Sequence, residues 1–257
     1  MRVHPVDLGE GVRAFFTLSS GGVSPAPWAP ETGGGLNLGL NVADDEARVR
    51  ENRARVSERL GAPVAFANQV HGDAVLVLGA AERAAWAATE PPGSAGDADA
   101  LVTDQAGLGL GVLVADCVPV LLADPVAGVV GVVHAGRKGL AAGVVHRALD
   151  AMTARGAELS RVRAAVGPAV CGRCYEVPEA MRAEVAAAVP ESWATTDAGT
   201  PGLDLPAGVL AQLAARGVEA VHVERCTRTD GELFSHRRAT EAGTTTGRQA
   251  GVVTLLS

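Results

Sequence analysis

The apolar runs Val118–Ala123 and Val129–His134, joined by the stretch ADPVAG, constrain this fold more than any other part of the chain. Pro125 and Gly128 favour a tight reversal, so the runs read as a buried β-hairpin. Asp116 and Cys117 interrupt the hydrophobic stretch that begins at Gly107, and His134 closes the second run. A thiol and an imidazole therefore stand at strand ends, where a rigid sheet can hold them. Gly136, Arg137, Lys138 and Gly139 follow, and then a helical pattern over Leu140–Arg155 that stops at Gly156. The segment reads as an active site at a strand-to-helix junction.

Hydrophobic residues make up 47% of the chain and aromatics only 3%. An Ala/Val/Leu-rich interior suits sheet–helix packing and argues against an aromatic platform for single-stranded nucleic acid. The formal charge of −7 disfavours general binding to a phosphate backbone but leaves room for a local basic pocket. The start, MRVHPVDLGEGV, lacks the basic and apolar regions of a secretory signal, and no apolar run reaches the ~20 residues of a membrane span. Four cysteines in 257 residues fit reduced thiols better than a disulfide scaffold. The expectation is a soluble cytoplasmic protein that binds neither nucleic acid nor membrane. The motifs do not address its oligomeric state.

SSGGVSPAPWAPETGGGLNLGLNV near the N-terminus reads as a surface loop. Asp44-Asp45 offers an N-cap to the amphipathic helix EARVRENRARVSERL, which Gly61 closes. Strands are expected at Val64–Ala67, Ala74–Leu78, Val162–Val166, Val218–Val223 and Val252–Leu256. Helices are expected at Glu179–Val189 and Pro206–Arg216, and a loop at Ala85–Asp97. With no repeat and no linker, residues 1–257 read as one α/β domain, a mixed sheet with helices on both faces.

His71, Cys117 and His134 are three soft or borderline ligands. Two imidazoles and a thiolate suit zinc with a fourth position open, although a buried cysteine and two hydrogen-bonded histidines account for the same residues. Arg137 and Lys138, at the start of a helix, favour a bound anion such as phosphate. Arg237, Arg238 and Arg248 are further anion candidates or ordinary surface charges. Asp97 and Asp99 read as turn residues or a site carboxylate, and His146 and His222 as structural. Cys171-Gly-Arg-Cys174 has the spacing of half a zinc or redox site, but it stands alone and reads as structural. Gly107, Gly109 and Gly111 lie within a strand, not in a dinucleotide-binding turn.

NQVHG at 68–72, GDADALVT at 96–103, ADCVPVLLAD at 115–124 and HAGRKG at 134–139 together resemble the YfiH family. The likeness extends in order to GGVS at 21–24, NLGLNV at 37–42, ENR at 51–53, CYEV at 174–177, FSHRR and TGR. That family is described as polyphenol-oxidase-like and understood as purine nucleoside phosphorylases with adenosine deaminase activity. The resemblance implies an α/β sandwich like that of a toxin deamidase, with His71, Cys117 and His134 as zinc ligands lining the nucleoside site. It implies substrate or phosphate contacts from Asn37 and Arg53. Adenosine, inosine, 5′-methylthioadenosine and inorganic phosphate are the implied substrates. Arg137-Lys138 stands where the family commonly has Trp-Arg, which exchanges a packing surface for a second positive charge.

No Glu neighbours a zinc ligand as in the cytidine-deaminase signature, so the proton-transfer group for deamination is unassigned, with Asp99 and Asp116 as candidates. Two further readings stand beside this one. A copper-dependent polyphenol oxidase would use Cu2+ at the His2Cys set, yet Met1, Met152 and Met181 lie near none of the motifs. A thiol hydrolase or deamidase would use Cys117 as nucleophile and His134 as base.

Overall fold

The computed structural model describes residues 1–29, 33–88 and 93–256. The first half runs β1 (Val3–Val6), β2 (Val12–Thr17), β3 (Ser20–Ser24), α1 (Glu46–Leu60), β4 (Val64–Phe66), β5 (Val75–Leu78), α2 (Ala80–Trp86), β6 (Ala100–Thr103) and β7 (Gly109–Val114). The expected hairpin follows as β8 (Val118–Asp124) and β9 (Val129–Ala135). Next come α3 (Arg137–Ala142), α4 (Val144–Thr153), β10 (Arg163–Val166), α5 (Glu179–Ala188), β11 (Trp193–Thr195) and β12 (Pro201–Leu203). The chain ends through α6 (Leu205–Ala215), β13 (Glu219–His222), α7 (His236–Glu241) and β14 (Gln249–Leu255).

β8 and β9 pair antiparallel, with Pro119 opposite His134. The Asp124 carboxylate closes their turn by accepting the N–H groups of Val126 and Ala127, both at 3.0 Å. The mixed sheet expected from the sequence is two sheets. One has the order β1-β2-β14-β7-β4 and the other β13-β10-β8-β9-β6-β5, while β11 and β12 form a small ribbon. Parallel pairs occur at β4/β7, β5/β6 and β10/β13, and the other pairs are antiparallel.

Side-chain alternation explains the layering. Leu121 and Ala123 of β8, Val130 and Val132 of β9, Phe16 of β2 and Val253 of β14 fill the space between the sheets. Their neighbours Val118, Val120, Leu122 and Val133 point outward and pack under α4 and α6 through Ala148, Leu149, Val209 and Leu213. On the opposite side Phe15 and Val252 meet Val56 and Leu60 of α1. Every position of β8, β9 and β14 is buried, so these strands read as near-continuous hydrophobic runs, broken only by Asp124, His134, Gln249 and Thr254. The result is a helix–sheet–sheet–helix sandwich.

α1 is capped as its sequence predicts. Asp45 accepts the Arg48 N–H, and Gly61 takes the left-handed conformation at φ +83°. The helix expected at Leu140–Arg155 starts three residues earlier and breaks at Gly143, whose φ of +85° separates α3 from α4. The loop expected at Ala85–Asp97 lies partly outside the described residues, and its first two residues belong to α2. The N-terminal loop contains β3, which has little strand propensity of its own. Asn52 supplies what the sequence lacks: its side chain accepts the Val23 N–H and donates to Ser24 Oγ and to the carbonyls of Gly35 and Asn37.

Candidate active site

Three segments converge at one end of the sandwich: the loop after β4, the loop between β7 and β8, and the end of β9. They carry His71, Cys117 and His134, whose ligand atoms all lie within 4.8 Å of one another. The two imidazole rings stand edge to face, with centroids 4.8 Å apart. His134 is buried, Cys117 half-buried and His71 exposed, so the set is open on one side.

Asp99, at the entrance to β6, organises two of the three. It is 2% exposed, and its Oδ1 lies 2.7 Å from His134 Nδ1. That bond fixes the ring with Nε2 free toward the cluster. The same carboxylate accepts the N–H groups of His71 at 3.0 Å, Gly72 at 2.7 Å and Val70 at 3.3 Å. His71 has a φ of +61°, unusual outside glycine, and these bonds hold the turn that imposes it. The rest of the NQVHG motif is anchored too. Asn68 donates to Asp97, and the Gln69 amide pairs with both backbone groups of Leu113 on β7.

Charge follows the geometry. Burial alone would push the Cys117 thiol up, but His134 and then His71 favour its thiolate, and the net is a fall from 9.0 to about 6. Burial would push the His134 imidazolium down, but Cys117 and Asp99 outweigh it and raise the group to about 9. Asp99 likewise stays below the usual carboxylate range, because His134 and the Gly72 and His71 amides outweigh its burial.

The donor set fits a borderline or soft cation. Two imidazoles and a thiolate converge, and a carboxylate behind one histidine fixes its tautomer, as at metal-ligating histidines generally. Gly136 leaves the space such an ion needs. A Cβ there would lie 3.0 Å from His71 Cδ2, 3.3 Å from Cys117 Sγ and 3.5 Å from His134 Cε1.

The triad forms one wall of a cavity of about 1150 Å³. Among the described residues, Arg53, Arg137, Lys138, Arg237 and Arg248 line it, against only Asp116 and Glu241 of opposite sign. Both carboxylates are engaged: Glu241 pairs with Arg228, and Asp116 accepts Thr227 Oγ1 at 2.6 Å and the Arg237 N–H at 2.7 Å. In a chain of net charge −7 this is a local concentration of positive charge.

Burial, with Arg50 nearby, lowers Arg53 to about 10, and its guanidinium lies 4.4 Å from the Phe66 ring centroid. Arg238 does not line the cavity; it donates to the carbonyls of Thr227, Arg228, Asp230 and Leu233. Asn37, expected from the resemblance as a substrate or phosphate contact, lies beneath the cavity's lining. It is fully buried, and its amide bonds to Gly39, Asp44 and the Arg248 N–H, so it positions Arg248 and does not face the cavity.

Tyr175, which sequence reasoning missed as a site residue, also lines the cavity, under the Arg237 guanidinium at 4.9 Å. As the only tyrosine, sitting inside CYEV, it could have been flagged. His146 stands on α4 with its pKa lowered by burial and Arg216, and His222 on β13 at a sheet edge; neither joins the triad. No helix among the described residues is long and apolar enough to cross a membrane.

Residues 13–256 match the family model described as multi-copper polyphenol oxidoreductase laccase. The chain is 54% identical over 245 residues to a purine nucleoside phosphorylase of Streptomyces griseus, covering 93% of each chain. It is 49% identical over 253 residues to a purine nucleoside phosphorylase of Streptomyces coelicolor, covering 97% of this chain and 98% of the relative. Among solved structures, YlmD from Geobacillus stearothermophilus superposes with a TM-score of 0.83 at 32% identity, covering 96% of this chain and 93% of that one. YfiH from Bacillus licheniformis gives a TM-score of 0.81, also at 32% identity, covering 95% and 92%.

Proposed function

Since the chain belongs to the YfiH family, whose model bears the laccase description and whose similar members carry the name purine nucleoside phosphorylase, we propose that it is a zinc-dependent purine nucleoside phosphorylase. Adenosine, inosine and 5′-methylthioadenosine are its substrates, and the same site deaminates adenosine. One observation carries the reading: a convergent His71–Cys117–His134 set forms the wall of a cavity lined by five cationic side chains. The cations match a phosphate dianion. The size of the cavity suits a nucleoside beside it.

In phosphorolysis a phosphate oxygen bonds to ribose C1′ as the C1′–N9 bond breaks. The electron pair leaves on purine N9, which then takes a proton. Arg137, Lys138 and Arg248 would bind and orient the phosphate, so that attack is effectively intramolecular. His71, Cys117 and His134 would hold the metal, and Asp99 would keep the His134 Nδ1 proton directed away from it. When bound there, zinc supplies Lewis acidity and a water acidified toward neutral pH, the species that deamination at C6 requires.

A second reading rests on its own observation. Without metal, Cys117, His134 and Asp99 form a nucleophile–base–orienter series suited to a thiol hydrolase. A copper oxidase is less well served. Met152 and Met181 pack in the outer core under the helices, away from the triad, so neither supplies an axial thioether.

The test is product analysis with each nucleoside, with and without phosphate and a zinc chelator, alongside Cys117→Ala. Free base formed only with phosphate, and lost on chelation or in the variant, supports the phosphorylase. Activity toward amide substrates that survives chelation, but not alkylation, supports the hydrolase.

A further inference from the structure

A second set of sulfur ligands lies behind the cavity wall. Cys171, Cys174 and Cys226 bring their Sγ atoms within 4.8 Å of one another, and none of the three lines the cavity. Parallel bridging between Ala169 and Cys226 aligns the two segments, with the Thr227 N–H donating to the Ala169 carbonyl at 3.0 Å. Each segment then turns tightly on its first cysteine. Cys174 and Tyr175 donate to the Cys171 carbonyl at 2.9 and 3.0 Å, and Thr229 and Asp230 to the Cys226 carbonyl at 3.2 and 2.9 Å. The half-site that looked isolated in the sequence is completed by a cysteine 52 residues downstream of Cys174.

We propose that Cys171, Cys174 and Cys226 form a three-thiolate site for one soft d10 cation, Zn2+ or Cu+, separate from the His71–Cys117–His134 set. Three observations support it. The sulfurs converge on a common point, with Cys171 in hydrogen-bond reach of both others. Backbone N–H groups converge on Cys226 Sγ: that of Cys171 at 3.4 Å, and those of Arg228 and Thr229. Amides directed at sulfur favour thiolate ligands and orient them. Arg228 also reaches the Cys174 sulfur. Three thiolates around a dication leave one net negative charge, and this guanidinium, which also pairs with Glu241, stands beside it.

Soft thiolate sets of this kind select zinc and cuprous ions over hard cations. Binding releases the thiol protons to solvent, and no other co-reactant is needed. The position suggests what the ion does. Val170 donates to the Asp116 carbonyl at 2.9 Å, Thr227 Oγ1 donates to the Asp116 carboxylate, and Tyr175 follows Cys174 directly. A cation joining residues 171–174 to 226 would therefore clamp the two segments that hold Asp116 and Tyr175 in place.

The test is metal stoichiometry on the full-length protein, loaded with Zn2+ or, anaerobically, with Cu+. Wild type is expected to bind about two ions, Cys117→Ala about one, and Cys171→Ser/Cys174→Ser/Cys226→Ser about one. Adding Co2+ to Cys117→Ala should give an intense near-ultraviolet sulfur-to-cobalt band, which weakens in the single variant Cys226→Ser of that background. The two loadings decide between the ions: Zn2+ retained under a chelator that strips Cu+ assigns zinc, and the reverse assigns copper. None of these readouts depends on nucleoside turnover, so the site and the phosphorylase reading stand or fall separately. One ion in wild type with no cobalt band in Cys117→Ala, or a disulfide found by mass in the freshly purified protein, overturns the proposal.

Discussion

Asp99→Asn isolates the carboxylate that organises the triad without changing its size. Oδ1 serves His134 Nδ1 and the His71 N–H, while Oδ2 serves the Gly72 and Val70 N–H groups. An asparagine amide offers one oxygen and one NH2, so in either orientation a donor confronts one of these two sets. If the NH2 faces His134, the ring must flip or change tautomer and Nε2 is no longer held toward the cluster. If it faces the 70–72 turn, two N–H groups lose their acceptor and the strained φ of His71 loses its support. Loss of a partner behind a metal-ligating histidine weakens metal binding about 10–100-fold, or ~1.4–2.8 kcal/mol at ~1.4 kcal/mol per decade. An unsatisfied buried donor costs a further ~1–3 kcal/mol of stability. At ~2–4 °C per kcal/mol for a chain near this size, Tm falls by about 2–12 °C. Competition against a chromophoric chelator measures the affinity, and calorimetry measures Tm. A folded Asp99→Asn protein that binds zinc as tightly as wild type would refute the argument that Asp99 orients the ligands.

Gly136→Ala places a methyl 3.0 Å from His71 Cδ2 and 3.3 Å from Cys117 Sγ, and is expected to abolish metal uptake at this site, read by elemental analysis. Arg248→Met should raise KM for phosphate about 10-fold or more, the value of one charge-assisted hydrogen bond, with a smaller effect on KM for the nucleoside. An unchanged phosphate KM would remove Arg248 from the anion site. In chelator-treated protein, alkylation of Cys117 by iodoacetamide should rise through pH about 6 instead of near 9, because the folded thiol is lowered to about 6. The linked stability of this thiolate is present above about 9 and is lost as pH falls toward 6. That of His134, raised to about 9, is present below about 6.5 and is lost as pH rises through 9, so the two contributions oppose each other across that window.

The hairpin at β8 and β9, the caps of α1 and the three triad residues were legible because each rests on local signals: apolar runs, Asp and Gly at helix ends, and soft ligands beside a glycine or at a strand end. What escaped was set by contacts across the fold. β3 is a poor strand former on its own and is held by Asn52, 28 residues from Ser24. Splitting one expected sheet into two depends on which face each doubly buried strand presents, and a continuous apolar run carries no such information. Asp99 read as either a turn residue or a site carboxylate, and local sequence does not choose between them because its partners lie 27 to 35 residues away. For Asn37, a motif places a residue near a site without saying whether its amide faces the cavity or, as here, holds the Arg248 backbone. Cys171 and Cys174 looked structural because Cys226 arrives only through the pairing of Ala169 with Cys226.

The most direct test of the central claim is 31P NMR of inosine with inorganic phosphate and the zinc-loaded enzyme. The account predicts ribose 1-phosphate accumulating in step with hypoxanthine, and no signal from Cys117→Ala. Hypoxanthine appearing with free ribose, or no turnover by a protein shown to hold zinc at the triad, would contradict it.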